Sequence, residues 1–131
     1  MKKYLFILMT LFVAGYLASK VQSSWGKVLV QSIKIPTQNG QWLVADLFKP
    51  VSANSSNPSP LVIVVPGFQR SKETLSNISI ELSRRGIVTI AIDPYAQGLS
   101  SSSFSRRAAT KEGYGMFALV DYVYDTSILN Y

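Results

Sequence analysis

The hydrophobic positions of this chain change their period several times, and each change marks a new element. An uncharged, mostly apolar run from Tyr4 to Ser19 follows Lys2 and Lys3. As a helix rising about 1.5 Å per residue it reaches roughly 24 Å, against a hydrocarbon core of about 30 Å. From Lys27 to Ile35 the apolar residues alternate in part, first Val28 and Val30, then Ile33 and Ile35. Strand-like sequence resumes from Gln41 to Phe48, with Trp42, Val44 and Leu47. Asn39-Gly40 between the two is a strong tight-turn signal, so an antiparallel hairpin is predicted, Lys27–Ile35 against Gln41–Phe48.

Pro50 to Pro60 is rich in Pro, Ser and Asn and reads as a surface loop. Leu61 to Val65 is a continuous apolar run between two prolines, which predicts a strand buried on both faces. Ser71 stands where a helix cap belongs, with Glu73 in the first turn, where the helix dipole favours an acid. Leu75, Ile78 and Leu82 then share one helical face, Glu81 can pair with Arg85, and Gly86 is a natural stop. Ile87 to Ile92 is a second buried strand ending on Asp93. Strand, helix and strand from Leu61 to Ile92 make a parallel crossover unit, right-handed by default. Asp93 to Arg107 is a polar loop whose serines, Ser100 to Ser103, read as flexible. A second helix is predicted from near Ala108 or Thr110 to about Tyr124, with Met116, Phe117, Val120 and Val123 or Tyr124 toward the sheet. No internal repeat is evident.

Composition narrows the function classes. With 131 residues and 47% hydrophobic content the chain has room for one modest domain. It contains neither cysteine nor histidine. There is then no disulfide framework and no imidazole to take a proton from a serine, and with 7 acidic residues no transition-metal site or other cofactor is expected. The net charge is +6. The basic residues are scattered apart from Arg84-Arg85 and Arg106-Arg107, without a basic stripe interleaved with aromatics, so nucleic acid is not an expected partner. A cationic surface facing an anionic envelope fits better.

The lysine pair and short apolar core match an export signal. Residues 1–23 are read as a signal peptide or signal anchor, with a weak cleavage signal, Val21-Gln22-Ser23, before Ser24. If the segment is retained, the positive-inside bias puts Lys2 and Lys3 in the cytoplasm and the domain outside. The protein is expected to be exported, in the cell envelope, either membrane-anchored or secreted.

Candidate chemistry gathers after the first buried strand. Pro66-Gly67-Phe68-Gln69 sits at a strand's carboxyl end, the edge at which open α/β sheets bind ligands. Gly67 allows a sharp turn, and the amides of Phe68 and Gln69 are candidate donors to a developing oxyanion. An ordinary strand-to-helix turn is the alternative. Asp93 is either an acid catalyst or the residue that caps the strand end and orders the Gly98 turn. Tyr95 either lines a pocket or covers the sheet edge. Ser71-Lys72 and Ser19-Lys20 resemble serine–lysine dyads, but adjacent side chains diverge. No Gly-x-Gly-x-x-Gly follows either strand, which disfavours a dinucleotide site.

Val65-Pro66-Gly67-Phe68 before Ser71-Lys72, then Arg84-Arg85-Gly86-Ile87-Val88 and Asp93-Pro-Tyr-Ala-Gln-Gly98-Leu-Ser100, resemble the α/β-hydrolase family, in particular its esterase, dienelactone-hydrolase-like and prolyl-oligopeptidase-like branches. The resemblance covers roughly Lys27 to Tyr131. It implies an α/β fold: an antiparallel hairpin, then a parallel strand–helix–strand unit, as the N-terminal part of a hydrolase sheet over residues 24–131. It assigns the oxyanion amide to Phe68 and the loop after the fourth strand to Asp93, Gly98 and Ser100. The family's turn histidine is Pro66 here, which leaves a backbone donor intact. The family's Gly-x-Ser-x-Gly elbow occurs nowhere in these residues, and Asp125 to Tyr131 reads as the lead-in to its strand. The expected function is therefore the front of an exported or membrane-anchored serine hydrolase acting on ester or amide bonds. It would lack nucleophile, acid and base and be inactive alone. The alternative is a non-catalytic, exported or tethered binding module, against which stands the open parallel sheet edge it would carry.

Overall fold

The computed structural model describes residues 2–37, 40–101 and 106–125. Four strands form one mixed sheet. Strand β1 (Val28–Pro36) and strand β2 (Trp42–Pro50) pair antiparallel, with Ile35 opposite Leu43 and Val28 opposite Pro50. Strand β3 (Leu61–Val64) pairs parallel to strand β4 (Val88–Asp93), and β2 joins β4 antiparallel, so the order across the sheet is β1-β2-β4-β3. The hairpin lies where the alternation placed it. Asn39 of its turn lies outside the described residues, while Gly40 carries the positive φ, +71°, that the turn requires.

The break in alternation along β1 marks a change of face. Ile33 and Ile35 join Leu43, Ala45 and Leu47 of β2 and Val88, Ile90 and Ile92 of β4 on one side of the sheet. Val28, Phe48 and Ala91 make a smaller cluster on the other. β4 is buried along its whole length because it has a strand on each side and a helix on each face. β3 is shorter than the apolar run suggested and only half-buried, since it has β4 on one side and forms the sheet edge.

Helix α1 (Lys2–Gln22) has 21 residues, none of them buried. At the α-helical rise it is about 31 Å long, longer than the apolar run alone, because the helix continues through Ser19–Gln22. Helix α2 (Ser76–Arg84) follows a 3-10 turn, Lys72–Leu75. It ends in a Schellman motif: the Gly86 amide donates to Ser83 O at 3.1 Å and the Ile87 amide to Leu82 O at 3.2 Å. Arg85 donates to Glu81 at 3.1 Å, the expected surface pair.

The buried face of α2 differs from the apolar stripe. Ile78 is 53% exposed, whereas Ser79 and Ser83 are buried. Small serines let the helix approach the sheet, and their hydroxyls find backbone partners: Ser83 Oγ lies 3.0 Å from Phe48 O and from Ile87 O. A leucine or isoleucine at these positions would push the helix outward.

The single C-terminal helix expected from the pattern is two. Helix α3 (Arg106–Lys111) stops at a 3-10 turn, Gly113–Gly115, where Tyr114 takes φ 54°, and helix α4 (Met116–Asp125) starts anew. The break lets Gly115 pass against Leu43, where an added Cβ would lie 2.8 Å from the Leu43 side chain. It also resets the helical phase. Leu119 and Val123 face the core with Met116 and Tyr122 beside them, while Phe117 and Val120 point outward, contrary to the pattern reading. The presumed lead-in strand after Asp125 lies outside the described residues.

The two faces of α4 have different expected sensitivities. Leu119→Ala leaves a cavity against Ile90 and Ile92 and should lower unfolding stability by about 2–5 kcal/mol. Val120→Ala, 51% exposed, should stay within about 0.5 kcal/mol, as read by urea denaturation of both variants.

Candidate functional site

Beyond β3 the chain runs through Val65-Pro66 into a tight turn in which the Arg70 amide donates to Gly67 O at 3.1 Å. Phe68 and Gln69 are its two central residues. The positive φ in this turn belongs to Gln69, at +58°, and not to Gly67, so the glycine is not the residue that lets the chain reverse. The Phe68 side chain is 69% exposed. The turn therefore stands at the carboxyl edge of β3, next to the carboxyl end of β4.

What holds it there comes from the loop after β4. Gln97 Oε1 accepts from the Arg70 amide at 3.1 Å, and Asp93 Oδ1 accepts from the Lys72 amide at 2.7 Å. Asp93 thus performs from another strand the capping that Ser71 was expected to perform. Ser71 occupies the cap position with extended φ −105°, ψ 167°, but its hydroxyl makes no capping bond. The second Asp93 oxygen accepts from the Leu99 amide at 3.0 Å. This closes the loop around Gly98, whose φ of +52° and close approach leave no space for a side chain: a Cβ there would lie 2.1 Å from Asp93 Oδ2.

The serines that follow are bound, contrary to the flexible reading. Ser100 Oγ donates to Asp93 O at 2.5 Å and accepts from the Val44 amide at 2.7 Å. Ser101 Oγ accepts from the Trp42 amide at 2.8 Å. The loop in effect continues the ladder along the start of β2. Ser102 and Ser103 lie outside the described residues. Tyr95 is buried, its hydroxyl bonded to Thr37, so it fills the core end beneath the loop and borders only a small concavity with Thr37, Glu112 and Phe117. Burial, ahead of the nearby Glu112 carboxylate, pushes its phenol above the usual range.

Sequence reasoning weighed Lys72 only as half of a serine–lysine dyad and missed the buried ion cluster it forms. Its side chain is 4% exposed, and its ammonium lies 2.6 Å from Glu73 Oε1, 3.5 Å from Asp46 Oδ2 and 3.6 Å from Asp93 Oδ2. Burial pulls the Lys72 pKa down, but the Glu73 bond and the Asp46 and Asp93 carboxylates together outweigh it and hold the ammonium charged above its ordinary range. The same bond, with help from the Ser71 hydroxyl, lowers Glu73 from 4.5 to about 2. A signal existed: Lys72, Leu75, Ser79 and Leu82 follow helical spacing, so a stripe begun at Lys72 rather than at Leu75 contains the lysine. Asp46 gave no comparable signal, since only strand pairing brings it across to β4.

This arrangement can position backbone amides at a sheet edge but contains no nucleophile–base pair. Asp93 has no exposed surface, and its oxygens are committed to two amides and an ammonium, which ties the strand end to the turn and the loop. Among the described residues no cluster is arranged to hold a metal ion. A concavity of about 750 Å³ lies elsewhere, between the end of α1, β1–β2 and α2, and touches neither the Gly67–Arg70 turn nor the Gly98 loop.

Three outcomes test this account. Lys72→Met removes the cation from beside Asp46 and the buried Asp93, leaving Asp93 with its two amide donors alone, and should cost about 3 kcal/mol in urea denaturation. Gly98→Ala combines a left-handed backbone with collision against Asp93 and should cost more than about 2 kcal/mol by the same measurement. Because the folded pKa of Glu73 is depressed, its stabilisation is present above about 4.5 and lost as pH falls toward about 2. Glu73→Gln should flatten the fall of the thermal midpoint across that window while costing at most about 1 kcal/mol at neutral pH, since Glu73 is mostly exposed.

No protein-family model and no curated protein matches the chain. Solved structures do. A hypothetical protein from Pseudomonas aeruginosa superposes with a TM-score of 0.62 at 26% identity, over 79% of this chain and 33% of that one. The protein Est1E from Butyrivibrio proteoclasticus, solved with ferulic acid bound, gives 0.60 at 26%, over 75% and 39%. The alpha/beta hydrolase GrgF from a Penicillium species gives 0.59 at 21%, over 75% and 33%. The chain spans about a third of the length of these structures. With a hairpin, a parallel strand–helix–strand unit and a loop-locked turn at the strands' carboxyl edge, this chain has the fold of the N-terminal part of an α/β-hydrolase.

Proposed function

We propose that the chain is the oxyanion-side portion of a serine hydrolase acting on ester or amide bonds, exported or held at a membrane by α1, and inactive by itself. The observation that supports this most is the turn Gly67–Arg70, pinned by Gln97 and Asp93 beside the carboxyl ends of two parallel strands. Rigid amides at such an edge stabilise a developing oxyanion because no reorganisation accompanies the reaction. In this reading the Phe68 amide, with Gln69 next to it, takes that role, and Gly67, Asp93 and Gly98 support the geometry.

Inactivity follows from chemistry. An oxyanion donor has nothing to stabilise until a nucleophile has attacked, and a chain without histidine or cysteine has no ordinary means of activating one. Export or membrane retention draws on the Lys2-Lys3 start and the mean hydropathy of 1.7 in α1. The rival reading, a non-catalytic tethered module, draws on the continuous core around Leu43, Ile90, Ile92 and Leu119, which the chain builds from its own residues.

Purified chain incubated with a nitrophenyl ester should give no saturable hydrolysis, and single-site turnover would overturn the inactivity. Transcript sequence past the Tyr131 codon separates the two readings. A frame continuing into Gly-x-Ser-x-Gly, an acid and a histidine supports the hydrolase portion, and an immediate stop supports the tethered module.

A further inference from the structure

The link between α1 and the domain is short and stiff. Each amide from Ser23 to Val28 donates a backbone hydrogen bond, among them Trp25 N to Lys20 O at 2.6 Å and Val28 N to Ser23 O at 3.1 Å. Ser24, Trp25 and Gly26 take consecutive positive φ angles of 49°, 60° and 81°, which wind the chain directly from helix into β1. Arg84, from the last turn of α2, reinforces the joint: its Nε donates to Ser24 Oγ at 3.0 Å and its Nη2 to Val21 O at 3.3 Å. The domain is thus held at a set orientation to α1.

The strand register places that joint at the pole opposite the candidate site. Val28 pairs with Pro50, while Val44 pairs with Asp93. From Pro50 back to Val44 is six residue steps along β2, about 20 Å at the rise of a strand. Around the joint, Trp25, Leu29 and Val51 are 66%, 57% and 55% exposed, and Lys20 and Lys27 stand among them. Tryptophan with lysines at the end of an apolar helix is the composition of a membrane–water interface: the indole sits at headgroup depth and the ammonium groups meet lipid phosphates. At the other end of α1, Tyr4 with Lys2 and Lys3 repeats the pairing, separated from the first by about one bilayer thickness.

We propose that the domain stands on an anionic bilayer by the pole carrying Trp25, Leu29 and Val51, so that the Gly67–Arg70 turn faces away from the membrane and meets water-borne substrates. This rests on the reading of α1 as a retained membrane-spanning anchor. It narrows the substrate class to esters or amides dissolved in the aqueous phase, because a lipid in the bilayer plane lies about 20 Å from the site edge.

The chain's two tryptophans lie at opposite poles, Trp25 at the joint and Trp42 bonded to Leu99 O beside the site. Trp25→Phe and Trp42→Phe each leave one reporter in the full-length chain. Both would be reconstituted in vesicles of phosphatidylcholine and phosphatidylglycerol, floated on a gradient, and titrated with bromine-labelled lipid. The expected result is flotation, blue-shifted Trp25 emission largely lost to brominated lipid, and Trp42 emission quenched by aqueous iodide alone. Failure to float overturns the anchor reading and the seating with it. Flotation with bromolipid quenching of Trp42, or with none of Trp25, overturns the seating and leaves the anchor standing. Should Trp42→Phe fold poorly, Leu29→Cys and Leu99→Cys in this cysteine-free chain carry an environment-sensitive dye to the same two poles. A blue shift at Leu29 and none at Leu99 is expected, and the reverse overturns the proposal.

Discussion

A single buried carboxylate holds the working edge of this domain together. Asp93 ends the central strand with no exposed surface, and its oxygens reach the amide that starts the helical segment after β3, the amide that closes the Gly98 turn, and the Lys72 ammonium. An ionised group taken out of water is tolerated only when donors replace its hydration. Here the donors come from two stretches of chain, Lys72 and Leu99, so satisfying one charge aligns the end of β4, the segment after β3 and the loop that runs back to β2. Remove the charge and three backbone segments lose a common reference point.

The two faces of the sheet divide labour accordingly. The side under α4 is mostly apolar, with Leu43, Ile90, Ile92 and Leu119 at its centre and the Tyr95 hydroxyl bonded to Thr37, and it supplies most of the hydrophobic stabilisation. The side under α2 carries Asp46, Thr89 and Asp93 from the strands and Lys72, Ser79 and Ser83 from the helical segment. Those groups stabilise less per unit area, because hydrogen bonds and ion pairs largely exchange for bonds to water. They do fix where the helix begins and how closely it lies, and hence where the Gly67–Arg70 turn stands. Position, more than stability, is what the polar face contributes.

The likeness to α/β-hydrolase structures is one of fold, over about a third of their length, and a fold hosts many chemistries. What this chain contributes to any of them is the scaffold of one edge: parallel strands, a rigid turn and a loop that locks it. The same register that builds this edge sets α1 at the far pole, so α1 and the candidate site are separated by the length of the strands.

The hairpin, the parallel unit and the export-like helix were legible along the chain because each depends on a local period or a turn residue: alternation in Lys27–Ile35, the unbroken run at Leu61, Gly86 after the last turn of α2. Asp93 and Gly98 were legible as neighbours at a strand end. Their partners were not. Lys72 reaches Asp46 and Asp93 only after β2 and β4 have paired, and Ser100 and Ser101 bind β2 across more than fifty residues of chain. The facing of Ile78, Phe117 and Val120 was misread from the pattern, since a small-residue contact under α2 and a break at Tyr114 rotate the stripes away from it. Local periodicity determines which elements form; long-range pairing decides which side chains meet, because burial and charge satisfaction are properties of neighbours that sequence distance does not reveal.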